Sequence, residues 1–176
     1  GKTLDLISRN AKNFKKKYPE ILEALETLPQ KDWVLDGEVV ALSDEGIPSF
    51  QLLQNMTPQT KDRPLHYFAF DLLHYDGKDL TNIPLFQRKE LLKDLLESAD
   101  GFISFSTGIE GDANILETEV RKRGLEGIVA KKKTSRYEPG KRTGAWVKYK
   151  TEAGQEFVIG GYKPSDRNGS LDAILV

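Results

Sequence analysis

Apolar residues recur along the chain at spacings that predict both strands and short helices. Alternation of apolar and polar residues predicts strands at residues 4–8 and 33–42, although the Asp36-Gly37 pair inside the second is also typical of a hairpin turn. The nearly continuous apolar run at residues 67–73 is typical of a buried central strand, and Asp76-Gly77 after it predicts a turn. Further strands are predicted at residues 102–106, 127–131, 145–150 and 156–160.

Helical spacing of apolar residues predicts the remaining regular elements. One helix follows Pro19, a second begins at Pro84, and a third spans residues 115–123 and ends before Gly124. The inward-facing residues of the first two helices are Ile21, Leu22, Leu25, Leu28, Leu85, Leu91, Leu92, Leu95 and Leu96. Strands outnumber helices and do not alternate regularly with them, so the pattern predicts an α+β fold with largely antiparallel sheets.

Composition narrows the possible classes of function. The chain has no cysteine and only two histidines, which excludes disulfides and thiolate metal sites and argues against a zinc site. No apolar run approaches the roughly 18 residues that a membrane-spanning helix requires. We therefore expect a protein of the reducing cytoplasm with no membrane partner.

Charge is distributed unevenly along the chain. The formal net charge is −1, but residues 121–150 contain eleven lysines and arginines against two acids, which leaves the rest of the chain at −10. A basic block of this kind attracts phosphates, in either a nucleotide or a polynucleotide. A solvated lysine-rich surface would produce the same pattern, so charge alone does not separate the two interpretations.

Three carboxylates stand in or beside aliphatic strands. In an uninterrupted strand Asp36 and Glu38 would share a face, where burial is costly without a cation, a metal or a hydrogen-bond donor. In the alternative hairpin, Asp36 lies in the turn and Glu38 is exposed. Glu126 precedes a strand and much of the basic block, so it would serve either as a ligand of Mg²⁺ beside nucleotide phosphates or as an ion-pair partner of a lysine.

Two other strands carry side chains suited to a nucleotide. Strand alternation sends Trp146, Lys148 and Lys150 to one face, where two ammonium groups would grip the oxygens of a transferred phosphate. Two lysines on a solvated edge strand would give the same pattern. In the central strand, Phe70 is suited to stacking on a purine and equally to a plain core position. Asp71 beside it needs a partner if that strand is buried.

The order of these motifs resembles that of covalent nucleotidyltransferases. The motifs are Ser8-Arg9-Asn10, LDGEVV at residues 35–40, FAFDLL at 68–73, EGIVAK at 126–131 and WVKYK at 146–150. Longer stretches resemble ATP-dependent DNA ligases, in particular the ligase module of bacterial and archaeal break-repair enzymes: SRNAKNFKKKYPEI, PSFQLLQ, FDLLHYDG and EFVIGGYKPS. The resemblance spans essentially the whole chain.

This resemblance implies a domain organisation. Residues 1–152 would form an ATP-grasp-like adenylation domain of antiparallel sheets flanked by helices, and residues 153–176 would begin an OB-fold domain. The nucleophilic lysine of the family lies in a Lys-x-Asp-Gly motif upstream of the Ser8-Arg9-Asn10 segment, and no such tetrad occurs in this sequence. We therefore expect a truncated part of a parent enzyme, which carries most of the nucleotide site and does not adenylate itself.

The resemblance also implies roles for individual residues at the nucleotide. Phe70 would stack against the adenine of ATP, and Lys148 and Lys150 would contact the α-phosphate as catalytic groups. Glu38 and Glu126 would bind Mg²⁺ or Mn²⁺ beside the nucleotide. Glu38 would in addition contact the ribose, and Glu126 would count among the catalytic residues.

A second set of basic residues would contact the nucleic acid. Arg9 would contact phosphate or the nucleotide near a nick, and Lys131, Arg136, Lys141 and Arg142 would contact DNA phosphates. Lys131 ranks lowest of these because strand alternation points it away from the acid of its own motif.

The activity that the resemblance implies belongs to the parent enzyme. It would seal nicked or broken double-stranded DNA with ATP, through enzyme-AMP and DNA-adenylate intermediates, beside other break-repair domains or proteins at a prokaryotic nucleoid. The alternatives are an RNA ligase or capping guanylyltransferase of the same superfamily, and a catalytically inactive module that binds nucleic acid.

Overall fold

The fold is taken from a computed structural model, which describes residues 3–29, 31–56, 64–99, 101–109, 118, 120, 122, 127–141, 143–150, 161–164 and 171–175, with residues 50–51, 161–164 and 171–175 described by backbone alone. The helices are α1 (Pro19–Glu26), α2 (Phe50–Gln54) and α3 (Leu85–Leu95). The strands are β1 (Trp33–Leu42), β2 (Pro48–Ser49), β3 (Leu65–Tyr75), β4 (Lys78–Asp79), β5 (Ile103–Phe105), β6 (Gly127–Lys131), β7 (Trp146–Lys150), β8 (Gly161–Pro164) and β9 (Leu171–Leu175).

Most strands belong to one sheet with β3 at its centre. The order β2-β1-β3-β4 is antiparallel throughout, and β5 lies parallel to β3 as the fifth strand. Two further antiparallel pairs, β6–β7 and β8–β9, form separate two-stranded sheets. The predicted α+β class with largely antiparallel sheets is therefore confirmed.

The hydrophobic core lies between the five-stranded sheet and the helices α1 and α3. In β3 the alternate residues Leu65, Tyr67 and Ala69 are buried, because successive side chains of a strand point to opposite faces. Helical spacing brings Ile21 and Leu25 of α1 to the same buried face. The core also includes Tyr18, Ala24, Leu28, Ala41, Leu72, Leu92, Leu95 and Ile103. This arrangement leaves the other side of the sheet available for a site.

Most of the predicted elements are confirmed. β1 covers residues 33–42 without interruption, so the alternative hairpin at Asp36-Gly37 is wrong. The predicted central strand is β3, and Asp76 and Gly77 form the turn after it, with φ of 51° and 77°. The helices after the two prolines are α1 and α3. Three further strands are confirmed to within one residue at each end, at residues 102–106, 127–131 and 145–150.

The strand predicted at residues 4–8 is wrong. Ile7 makes a single bridge to Asn13, and the chain reverses in a turn in which the Ala11 N–H donates to the Ser8 carbonyl at 2.9 Å. Ala11 has a φ of 57°, in the left-handed region, which ends the extended backbone. The apolar residues that suggested a strand, Leu4 and Leu6, instead pack against the core.

Two predicted elements fall on residues that the structure leaves undescribed. The strand at residues 156–160 lies outside the described residues, and so does most of the helix at residues 115–123, of which Thr118, Val120 and Lys122 are helical. The domain boundary after residue 152 stays a prediction. None of the helices formed by described residues is long and apolar enough to span a membrane.

Candidate functional site

A cleft of about 330 Å³ opens on the five-stranded sheet. Glu38 and Phe68 are partners in the register of β1 and β3, so their side chains project from the sheet side by side. Glu38 is exposed and Phe70 is half-buried. The described residues that line the cleft are Glu38, Val40, Pro48, Phe68, Phe70, Phe105, Ser106 and Thr107. The cleft thus combines one exposed carboxylate with three phenylalanine rings.

Phe70 lies at an irregularity in the pairing of β3. Gly37 pairs with Ala69 and Asp36 pairs with Asp71, so that two residues of β3 oppose one residue of β1 and Phe70 has no partner of its own. Such a bulge bends the strand and re-aims side chains, and bulges are frequent beside active sites. Regular alternation along the sequence did not predict it.

One face of the β6–β7 sheet carries the two lysines that were predicted to bind phosphate. Lys148 pairs with Val129 and Lys150 pairs with Gly127, so both lysines project from the same face, and both are exposed. Gly127 has a φ of 156°, and a Cβ there would overlap the backbone of Tyr149. Only glycine therefore permits this close pairing at the end of the hairpin.

The same face carries Lys131 and Trp146, and both contact Phe70. Lys131 and Trp146 pair with one another across β6 and β7. The Nζ atom of Lys131 lies 3.8 Å from the ring centroid of Phe70 and 3.7 Å from that of Trp146. The rings of Phe70 and Trp146 are 6.1 Å apart and meet edge to face at 77°. The lysine-bearing face of the hairpin is thus joined to the aromatic side chain at the cleft.

Asp36 meets a hydrogen-bond donor, as a half-buried acid requires. The Tyr137 hydroxyl donates to Asp36 Oδ2 at 2.8 Å. Burial raises the pKa of Asp36, and the hydrogen bond from Tyr137 opposes that rise. Burial and the Asp36 carboxylate together raise the pKa of Tyr137. Sequence reasoning missed Tyr137 because it lies 101 residues away along the chain.

Asp71 has the partner that its burial demands. The Arg88 guanidinium donates to both carboxylate oxygens of Asp71, at 2.7 and 2.9 Å, and both side chains are completely buried. Arg88 also donates to the carbonyl of Ser135, in the segment between β6 and β7, at 3.2 Å. Sequence reasoning missed Arg88, although its helical spacing between Leu85 and Leu92 marks a buried position.

Lys89 supports one wall of the cleft. Its Nζ donates to the Ser106 carbonyl at 2.8 Å and lies 4.7 Å from the ring centroid of Phe105. The Ser106 N–H in turn donates to the Ala69 carbonyl at 2.8 Å, which holds this wall against β3. Burial lowers the pKa of Lys89. No sequence pattern indicated this residue.

The remaining predicted site residues lie away from the cleft lining or outside the described residues. Arg9 is exposed in the turn after Ile7, and Arg136 and Lys141 are exposed between β6 and β7. Glu126 and Arg142 lie outside the described residues. Across the part of the chain that the structure describes, no group of three or more His, Cys, Asp or Glu side chains is placed to hold a metal ion.

Comparisons with known proteins connect this geometry to one family. The family model described as "ATP dependent DNA ligase domain" matches residues 1–150. The multifunctional non-homologous end joining DNA repair protein LigD of Mycobacterium tuberculosis H37Rv is 35% identical over 97% of this chain and 22% of its own length. LigD of Pseudomonas aeruginosa is 36% identical over 97% of this chain and 20% of its length. The chain therefore spans only about a fifth of the length of these relatives.

Solved structures agree with this match. The crystal structure of the ligase domain of M. tuberculosis LigD superposes with a TM-score of 0.74 at 35% identity, over 84% of this chain and 48% of that one. The structure of a mycobacterial DNA ligase D complexed with ATP and MES superposes with a TM-score of 0.77 at 36% identity. The match covers 97% of this chain and 54% of that one.

Proposed function

The chain belongs to the ATP-dependent DNA ligase domain family, and from this membership we propose that it supplies most of the nucleotide site of an enzyme that seals DNA breaks. The enzyme would transfer AMP from ATP to a lysine and then to the 5′-phosphate of DNA, before the 3′-hydroxyl displaces AMP. Nicked or broken double-stranded DNA is the proposed substrate, and end-joining repair in the cytoplasm is the proposed setting. The relatives named above favour DNA over an RNA or cap substrate.

The observation that carries this proposal is the junction between the two halves of the site. Phe70 and Glu38 project at the cleft of the five-stranded sheet, and Lys148 and Lys150 project from the face of β6–β7 that contacts Phe70 through Lys131. A base stacked on Phe70 would therefore lie near two cations suited to its phosphates. An aromatic wall beside paired ammonium groups matches the two chemical parts of a nucleotide.

The two lysines would act on the α-phosphate by charge. A phosphoryl group in transfer spreads negative charge over its oxygens, so fixed ammonium groups stabilise it most when charge develops. Lys148 and Lys150 are held on one strand, in register with Val129 and Gly127. Their spacing is thus set by the hairpin backbone, which reduces the ordering needed when ATP binds.

Glu38 fits a metal ion that is shared with the nucleotide. Mg²⁺ commonly binds through one or two carboxylates together with substrate phosphates, so a closed cage of protein ligands is not required. Glu38 is an exposed carboxylate in the cleft lining, and Glu126, outside the described residues, directly precedes β6. We assign both to Mg²⁺ or Mn²⁺, which would neutralise phosphate oxygens during transfer.

Exposed basic residues are assigned to the DNA backbone. Arg9, Arg136 and Lys141 are exposed, and Arg142 belongs to the same basic block outside the described residues. Such side chains bind phosphates without reading sequence, so we expect DNA affinity to fall steeply as salt rises.

The test is a Lys148→Ala substitution in the full-length protein. Loss of one ammonium group at the developing charge should lower the rate of AMP transfer from labelled ATP by about a hundredfold or more. Binding to nicked DNA, measured by mobility shift, should remain because other basic residues contact the backbone. Lys132→Ala is the matched control, since Lys132 is an exposed lysine one residue beyond β6.

The outcomes separate the competing functions. AMP transfer at the wild-type rate in Lys148→Ala would refute the assignment of the phosphate lysines. A wild-type protein that binds DNA but never becomes adenylated would instead support the inactive binding module.

A further inference from the structure

Tyr137 lies where the five-stranded sheet and the β6–β7 hairpin meet, and its side chain contacts both. Its hydroxyl donates to Asp36 Oδ2 of β1 at 2.8 Å. Its ring meets the ring of Trp146, the first residue of β7, edge to face, with the centroids 5.7 Å apart and the planes at 80°. The guanidinium carbon of Arg88, on α3, lies 6.0 Å from the centroid of the Tyr137 ring. One side chain thus stands between a strand of the sheet, a helix that covers it and a strand of the hairpin.

The two strands that this side chain joins carry the groups assigned to the metal ion and to the phosphate. Asp36 precedes Glu38 by two residues on β1, and Glu38 lines the cleft. Alternation along β7 places Trp146, Lys148 and Lys150 on one face of the hairpin. A shift of β7 relative to β1 would therefore move the two ammonium groups relative to the carboxylate in the cleft.

The backbone around Tyr137 is held by bonds that do not involve its hydroxyl. The Tyr137 N–H donates to the Thr81 carbonyl at 2.9 Å. The Ser135 carbonyl accepts from the Leu85 N–H at 2.9 Å and from the Arg88 guanidinium at 3.2 Å. These bonds fix the segment between β6 and β7 to the start of α3. Removal of the hydroxyl should therefore leave the segment in place and release its side chain from β1.

The position of β7 depends on the face that carries Trp146. On the opposite face Val147 and Tyr149 are exposed, so packing there does little to fix the strand. The edge-to-face contact between Trp146 and Tyr137 is a favourable aromatic geometry, and it acts on the first residue of the strand. Small displacements matter at such a site, because a misplacement of about 1 Å can cost about a hundredfold in rate.

We propose that Tyr137 is a positioning residue, whose hydroxyl holds Asp36 while its ring braces Trp146, so that the lysines of β7 are fixed relative to the cleft for phosphoryl transfer. The proposal rests on the proposed function in one respect, namely that Lys148 and Lys150 bind the α-phosphate. Tyr137 acts through these lysines and not on the nucleotide itself. Cations that are already in place stabilise developing charge without reorganisation at the moment of transfer.

The experiment compares Tyr137→Phe with the wild type in the full-length protein. Single-turnover transfer of AMP from labelled ATP, measured over a range of ATP concentrations, gives the maximal rate and the half-saturating concentration. Tyr137→Phe keeps the ring beside Trp146 and loses the bond to Asp36, so the maximal rate should fall by about three- to tenfold, as expected for one hydrogen bond. The half-saturating concentration should change by less than about twofold, because the lysines act mainly on charge that develops during transfer.

A control variant separates this effect from a loss of stability. Tyr18→Phe removes a hydroxyl from a buried tyrosine whose ring packs against Phe14 in the core, and it should leave the maximal rate unchanged. Thermal unfolding of both variants would establish that they are folded at the assay temperature. A conservative change at the acceptor gives a rescue, because the amide oxygen of Asp36→Asn still accepts the hydrogen bond. Asp36→Asn should therefore lose less of the maximal rate than Asp36→Ala.

A double-mutant cycle distinguishes positioning from a merely structural role. In a Lys148→Ala background, Tyr137→Phe should lower the maximal rate by a smaller factor than in the wild type, because one of the two lysines that it positions is gone. In a Lys132→Ala background the full factor should remain, since Lys132 is exposed and lies outside β7. A structural role would give the same factor in all three backgrounds.

The contrary results are also distinct. A wild-type maximal rate in Tyr137→Phe would overturn the proposal, as would an equal loss in Tyr18→Phe or an undiminished factor in the Lys148→Ala background. If Lys148→Ala alone transfers AMP at the wild-type rate, the proposed assignment of the phosphate lysines fails, and the role of Tyr137 fails with it.

Discussion

The five-stranded sheet and the β6–β7 hairpin both contribute residues to the proposed nucleotide site, but they are built differently. The sheet is covered by α1 and α3, and residues such as Ile21 and Leu92 have no exposed surface. In the hairpin, Val129 is 48% exposed and Val147 is 54% exposed. The sheet therefore has its own hydrophobic core, whereas among the described residues the hairpin is joined to it mainly by polar and aromatic contacts.

Several of those contacts are made by single side chains. Arg88 of α3 reaches the Ser135 carbonyl, Tyr137 donates to Asp36, and Lys131 lies on Phe70. In the proposed site, the sheet supplies the cleft with its aromatic rings and Glu38, and the hairpin supplies the two exposed lysines. Substitutions in the sheet should therefore affect mainly folding, and substitutions in the hairpin should affect mainly ligand binding.

The largest effect is expected at the buried ion pair. Arg88→Met should lower the free energy of unfolding by about 3–5 kcal/mol, because the Asp71 carboxylate would lose its guanidinium partner in the core. Denaturant unfolding measures this change. A double variant with Asp71→Asn should recover part of the loss, since it removes the stranded charge. A loss below 1 kcal/mol would show that the pair is not as enclosed as the structure indicates.

A matched pair of truncations compares the two regions directly. Leu92→Ala should cost about 2–5 kcal/mol, because it leaves a cavity in the core. Val147→Ala in the hairpin should cost about 0.5 kcal/mol or less, because its side chain is half exposed. Thermal unfolding of both variants checks this contrast. Equal losses would mean that Val147 is buried as deeply as Leu92, contrary to their exposures in the structure.

A smaller effect is expected at the link between Asp36 and Tyr137. Tyr137→Phe should cost about 1 kcal/mol at neutral pH, because the hydrogen bond to the ionised carboxylate is lost. Burial raises the pKa of Asp36, and the hydrogen bond from the Tyr137 hydroxyl opposes that rise. Loss of this hydrogen bond in the variant therefore raises the pKa of Asp36 further. Protonation of Asp36 then favours the folded variant. The stability that the variant loses relative to the wild type should therefore shrink as the pH falls through that pKa. A deficit that grows on acidification would contradict this link.

The sequence predicted the elements better than the relations between them. Alternation predicted β1 and β3, and the need of Asp71 for a partner was foreseen, because both follow from local pattern and burial. The bulge at Phe70 was not predictable, since it depends on the pairing of β3 with another strand. Lys131 was ranked low because alternation gives the side of a strand but does not reveal what faces it.

The most direct test of the central claim, that the two regions form one nucleotide site, is a crystal structure of the full-length protein with ATP. We expect adenine stacked on Phe70 and the α-phosphate within hydrogen-bond distance of Lys148 and Lys150. Adenine bound away from Phe70, or an α-phosphate beyond the reach of both lysines, would contradict it.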